Sequence, residues 1–116
     1  MSFLNLYCDA DYVAVTASGQ VYEFEIKVSR ADFVRDRHKY RYRVYNGEKR
    51  GPRPNRFWYV TVPGIVRGDL PKWAGWLEWE NRRLTERKKA PLMWRGRHRV
   101  KTILCLAKAM RKRGDG

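Results

Sequence analysis

Cysteine is nearly missing from this chain. Cys8 and Cys105 are the two thiols among 116 residues, they stand far apart, and neither forms a C-x-x-C pair. With His38 and His98 as the other soft ligands, a structural zinc site has too few candidates at usable spacing. Long apolar runs are missing as well: none approaches the roughly 18 residues that would span a bilayer, and no signal-peptide pattern opens the chain. The expected location is therefore a reducing cytoplasm, bacterial or that of a phage-infected host. Acidic residues are the third shortage, with 12 Asp and Glu against 26 Lys and Arg, for a formal charge of +14. So lopsided a balance attracts polyanions, with nucleic acid ranked first and acidic protein last, because neutralising phosphates releases counterions. An anionic membrane surface ranks second, although nothing in the pattern favours it.

What is present suits a packed domain. Hydrophobic residues make up 43% and aromatics 14%, enough for an interior despite 33% charged residues. A chain of 116 residues fits one core, so a single domain over 1–116 is expected.

The pattern predicts a hairpin over 12–28. Tyr12 to Thr16 is β-branched and aromatic, Ala17-Ser18-Gly19 is a turn signal, and the strand pattern resumes at Val21. Ser29-Arg30-Ala31-Asp32 has capping-box spacing and predicts a helix over about 30–40. The breaker-rich, basic stretch over 46–56 reads as an exposed loop. Strands are expected over about 57–62, where Phe57-Trp58-Tyr59-Val60-Thr61-Val62 is dense in β-formers, and over about 74–79. Val100, Ile103, Leu104, Ala107 and Met110 recur at helical spacing among Lys and Arg, predicting an amphipathic basic helix over about 97–112.

The chemistry concentrates on Val21-Tyr22-Glu23-Phe24-Glu25-Ile26-Lys27-Val28. Strand side chains alternate faces, so Glu23, Glu25 and Lys27 share one face with neighbours about 7 Å apart. A three-residue loop with Gly19 in the left-handed conformation would pair Thr16 with Gln20, and so Asp11 with Glu25. A slip of one residue would send Asp11 to the other face. Two carboxylates and a lysine then converge, a set suited to a hard divalent cation and to electrostatic support of a phosphoryl group.

The spacing D-x13-E-x-K across a hairpin, formed by Asp11, Glu25 and Lys27 and followed by a helix, resembles the PD-(D/E)XK nuclease superfamily. More narrowly, Glu25-Ile26-Lys27-Val28-Ser29-Arg30-Ala31-Asp32-Phe33 resembles the E-[IV]-K-x-S-x-x-D-F stretch of small nuclease-like proteins of bacteria and phages. The likeness continues weakly through Asn55 to Val60 and Leu70 to Gly75. It implies an α/β restriction-endonuclease-like fold, a mixed central β-sheet flanked by helices with a minimal core. It further implies a Mg2+- or Mn2+-dependent endonuclease with Asp11, Glu25 and Lys27 as catalytic residues and Asp11 and Glu25 as metal ligands. Glu23 and Asp9 are additional candidate acids. Two departures stand out: Ala10 takes the place of the proline before the first acid, and ten residues leave little room for the helix that usually precedes it. The alternative is a non-catalytic DNA-binding or accessory protein that keeps the scaffold.

Arg30, Arg35, Arg37, Lys39, Arg41, Lys49, Arg50, Arg53 and Arg56 are the expected nucleic-acid contacts, interleaved with Tyr40, Tyr42 and Tyr45 as candidates for stacking. Trp94 is a further candidate for a surface contact. Asp32 reads more simply as a helix-start acid than as a catalytic one. DNA is the expected partner; two cuts across a duplex would suit a homodimer.

Overall fold

A computed structural model describes residues 11–96 of the chain. The β-branched and aromatic run at the start forms β1 (Tyr12–Val15), antiparallel to β2 (Val21–Lys27). Gly19 takes a φ of 84°, the left-handed conformation that a three-residue hairpin loop needs and that glycine adopts without a Cβ penalty. The Thr16 amide donates to the Gln20 carbonyl at 2.9 Å, and Tyr12 pairs with Phe24. One step beyond that pair places Asp11 beside Glu25.

After β2 the chain crosses over through helices. Ser29 caps α1 (Arg30–Arg35), its side-chain oxygen accepting from the Asp32 amide at 3.1 Å. A short 3-10 turn, Asp36–His38, follows; Lys39 is extended, and α2 (Tyr40–Tyr45) begins beyond it. The single helix expected over 30–40 is thus broken, and a second helix begins at Tyr40. Its buried positions explain this: Arg41, Val44 and Tyr45 stand at helical spacing and turn inward together.

The crossover delivers β3 (Arg56–Thr61) parallel to β2, with Glu25 opposite Tyr59 and Lys27 opposite Thr61. Next, β4 (Ala74–Glu80) lies parallel to β3, and β5 (Arg83–Lys88) returns antiparallel to β4. The order β1-β2-β3-β4-β5 makes one five-stranded mixed sheet. The sequence pattern did not announce β5, because Arg83-Leu84-Thr85-Glu86-Arg87-Lys88 is charged and mostly exposed; such residues suit an edge strand, where they discourage further pairing. Asn81 and Arg82, at φ 54° and 59°, make its two-residue turn. The basic helix expected over about 97–112 lies outside the described residues, as does Asp9.

The main core fills the space between sheet and helices. Phe33, Val44 and Tyr45 come from the crossover and Phe57, Tyr59 and Ala74 from the sheet, with Ile65 from the link and Trp73 and Met93 packed against them. On β2 it is Glu23, Glu25 and Lys27 that point into this covered side, while Tyr22, Phe24 and Ile26 face the other way. A strand whose charged face is the buried one must satisfy those charges internally.

Gly75 shows how tightly the second face is closed near β3. A Cβ there would come within 2.6 Å of the Trp58 ring and 2.7 Å of Ala90. Gly75→Ala is expected to lower unfolding free energy by about 1–3 kcal/mol. Urea denaturation would show it as a lower midpoint at unchanged slope; an unchanged midpoint would contradict the packing described.

Candidate active site

The buried face of β2 meets α2 through charge. Arg41 lies 5% exposed, donating one guanidinium nitrogen to Glu25 Oε2 at 2.9 Å and the other to both Asp36 oxygens at 3.1 and 3.0 Å. Lys27 Nζ stands 3.0 Å from Asp36 Oδ1 and 3.7 Å from Glu25 Oε1. Lys39, with half its side chain exposed, reaches the same two carboxylates from outside, at 3.1 Å from Asp36 and 3.8 Å from Glu25. Tyr59 completes the Asp36 shell by donating its hydroxyl at 2.5 Å. Deeper still, Glu23 is fully buried and accepts from the Tyr45 hydroxyl at 3.0 Å.

These surroundings push the acids apart. Burial raises the Glu23 carboxyl to about 7, with Arg41 and the Tyr45 hydroxyl opposing. Glu25 is also raised: burial outweighs the nearby Arg41, and the negative charge of Asp11 adds to the rise. Asp36 goes the other way; burial alone would raise it, but Arg41, the Tyr59 hydroxyl and Lys27 hold it at about 2. Arg41, although burial opposes its charge, is kept protonated by Glu23, Glu25 and Asp36. Burial therefore dominates for Glu25, while three carboxylates dominate for its partner.

Asp11 sits at the exposed rim beside Glu25, and its Oδ2 accepts from the Ile26 amide at 2.9 Å. Asp11, Glu25 and Lys27 therefore occupy neighbouring positions, at the mouth and wall of one charged cluster. Among the described residues no group of three or more His, Cys, Asp and Glu is placed to hold a metal ion. Mg2+, however, keeps several waters and often takes one or two carboxylates. Of the two expected ligands, Asp11 is exposed at the rim and Glu25 lies buried beside it. Glu25 Oε2 is held by Arg41, whereas Oε1 stands beyond hydrogen-bond reach of Lys27 at 3.7 Å and of Lys39 at 3.8 Å. Glu23, a candidate extra acid, is closed off beneath Tyr45.

The basic residues divide by setting. Arg41, expected on a nucleic-acid surface, is instead buried in the cluster. Arg30 and Arg37 converge on Asp69 at 2.7 and 2.8 Å, and Arg35 pairs with Asp32 on its own helix. Arg56 donates to the Ala90 carbonyl. Lys49 and Arg50 are exposed on the 46–55 loop, which the Tyr40 hydroxyl ties to α2 by donating to the Arg50 carbonyl at 2.9 Å; Arg53 is half-buried on the same loop. Of the tyrosines, Tyr45 is core and Tyr42 packs edge-on to Trp73. Trp94 and His38 are exposed.

Asp36 and Arg41 are the members that pattern reading missed, the first because it looks like one acid in a charged helix, the second because it looks like one arginine in a basic run. The spacing of Arg41, Val44 and Tyr45 was the signal that one basic residue turns inward.

The titration of Glu23 has a definite sign. Its folded value of about 7 exceeds its ordinary 4.5, so between these the folded chain holds the extra proton and stability falls as pH rises. Asp36 acts oppositely: its contribution is present above 3.8 and is lost as pH falls through about 2. Glu23→Gln, which keeps an acceptor for Tyr45, is expected to remove up to about 3 kcal/mol of the decline across the Glu23 window. Urea midpoints measured through that range would show the flatter profile; parallel profiles would refute it.

No family model matches the chain, and no curated protein matches its sequence. The fold is similar to that of a protein of unknown function from Silicibacter pomeroyi, with a TM-score of 0.63 at 18% identity, over 91% of this chain and 66% of that one. This chain thus spans about two-thirds of the length of that structure, and the likeness is one of α/β fold.

Proposed function

We propose that the chain is a restriction-endonuclease-like, Mg2+-dependent nuclease that hydrolyses phosphodiester bonds of nucleic acid, DNA in the first place, in phage or repair-related processing. The observation that carries this reading is the hairpin register, which sets Asp11 beside Glu25 with Lys27 on the same strand face. Asp11 and Glu25 would hold the ion, which supplies an acidified water and neutralises charge growing on the phosphoryl oxygens. Lys27 keeps a fixed positive charge beside Glu25, and Lys39 adds a second at the exposed mouth, where a phosphate would arrive. The chain's excess of 26 basic over 12 acidic residues raises the local concentration of a polyanion. Cutting both strands of a duplex would call for two such centres, which a homodimer provides.

One observation favours a second reading, a non-catalytic nucleic-acid-binding accessory on the same scaffold: Arg41, Lys27 and Lys39 already neutralise Asp36 and Glu25. Circular single- and double-stranded DNA separates the two, because circles lack ends and report internal cutting directly. With Mg2+ or Mn2+ the parent chain is expected to nick them, EDTA to stop it, and Glu25→Ala or Lys27→Ala to slow it by about 100-fold or more. Binding without cutting under every metal would establish the accessory reading, and variants cutting as fast as the parent would remove these residues from the reaction.

A further inference from the structure

Three arginines meet at the edge of the sheet where β2 and β3 both end. The two strands run parallel and pair last at Lys27 and Thr61, so Arg30, at the start of α1, and the link after β3 leave from one edge. Arg30 spans them. One of its guanidinium nitrogens donates to the Ile65 carbonyl at 2.8 Å and to Asp69 Oδ1 at 3.1 Å, and the other stands 2.7 Å from Asp69 Oδ2. Arg37 reaches that same Oδ2 at 2.8 Å from the 3-10 turn. Arg67 joins from the link itself, its amide donating to Asp69 Oδ1 at 3.0 Å and its Nε to the Gly64 carbonyl at 3.2 Å. Gly68, at φ 74°, makes the left-handed step that folds Asp69 back on to Arg67.

An isolated surface pair of arginine and carboxylate contributes little and calls for no further account. Here two guanidiniums crowd one oxygen, and a third belongs to the residue whose amide caps the same carboxylate. Like charges held so close repel unless a further anion joins them. Among the described residues Asp69 is the one carboxylate that pairs with Arg30 or Arg37, and the Arg67 guanidinium pairs with none. The cluster is open to solvent, the side chain of Arg30 being 32% exposed and that of Arg37 43%. A guanidinium carries five donors in a fork that matches a phosphate, and the contacts to Asp69 and Ile65 leave part of both forks over. The position also fits: Arg37 follows Asp36, whose carboxylate holds Lys27 and Lys39, so one turn sends Asp36 inward and Arg37 outward beside the mouth of the candidate site.

We infer that Arg30, Arg37 and Arg67, gathered on Asp69, form an anion site for a phosphate of a nucleic-acid strand, separate from the phosphate that Lys39 would receive. Asp69 sets the spacing of the guanidiniums, and the strand runs from the mouth of the candidate site along the edge where β2 and β3 end. The site rests on the nucleic-acid partner of the proposed function and not on its cleavage step.

Binding of a 3′-labelled single-stranded oligonucleotide to the full chain, followed by fluorescence anisotropy in EDTA over a range of salt, tests it without cutting. Arg37→Gln is a clean variant, because Arg30 still ties the crossover to the link. Its affinity is expected to fall several-fold at low salt, and the slope of log affinity against log salt to shrink by about 0.7. Arg67→Gln, which keeps the backbone bond to Asp69, is expected to do the same. Arg83→Gln, an equal charge change on β5, is expected to leave the slope at the parent's value. Slopes unchanged in Arg37→Gln and Arg67→Gln, or reduced as much by Arg83→Gln, would overturn the site while the functional reading stands. A parent that binds no nucleic acid would overturn both. Strands with and without a 5′-phosphate separate the sources: an equal loss on both assigns an internal phosphodiester, and a loss confined to the phosphorylated strand a terminal phosphate.

Discussion

A single guanidinium organises this structure. Arg41 bridges Glu25 on the strand and Asp36 on the crossover, and through them it fixes Lys27 and Lys39. Burying one face of a strand that carries Glu23, Glu25 and Lys27 would cost several kcal/mol per unpaired ion. The fold answers with opposite charges brought from the next element in sequence. The break at Lys39 follows from this need, since a helix continued without interruption from Arg30 would not turn Arg41 back toward both carboxylates. Tyr59 and Tyr45, both packed on Phe57, complete the arrangement by donating hydroxyls to Asp36 and Glu23.

A buried ion cluster of this kind contributes less to net stability than to uniqueness, because apolar residues of equal volume often serve as well. Retaining it keeps two carboxylates of very different acidity, Asp36 and Glu23, within one small volume. Such separation is a frequent mark of sites that handle protons and cations, and structural ion networks share it. Here it accompanies a strand register that puts an acid, an acid and a lysine together, with Asp11 exposed at the rim and Glu25 and Lys27 buried behind it. The proposed nuclease reading grows from that conjunction, and the second reading from the same Arg41 that holds the cluster closed.

Much of the hairpin was legible in the chain. Ala17-Ser18-Gly19 dictates a loop length, the loop length dictates the register, and the register decides that Asp11 stands beside Glu25 rather than on the other face. Alternation likewise groups Glu23, Glu25 and Lys27. What alternation cannot say is which face is covered, since that depends on where the crossover lands. No glycine or proline marks the break at Lys39, so the turn that makes Arg41 an interior residue leaves no local trace beyond the inward spacing of Arg41, Val44 and Tyr45. The edge strand β5 escaped for a related reason: its residues are chosen for solvent and for blocking further pairing, not for β propensity.

Stability of charge-removal variants at Arg41 tests the central claim most directly. If this guanidinium holds the strand to the crossover, Arg41→Met lowers unfolding free energy by about 3–5 kcal/mol, because two buried carboxylates lose their shared partner. Adding Glu25→Gln and Asp36→Asn to that variant then recovers a substantial part of the loss. A loss below about 1 kcal/mol for Arg41→Met, or no recovery on neutralising the two acids, would contradict the account.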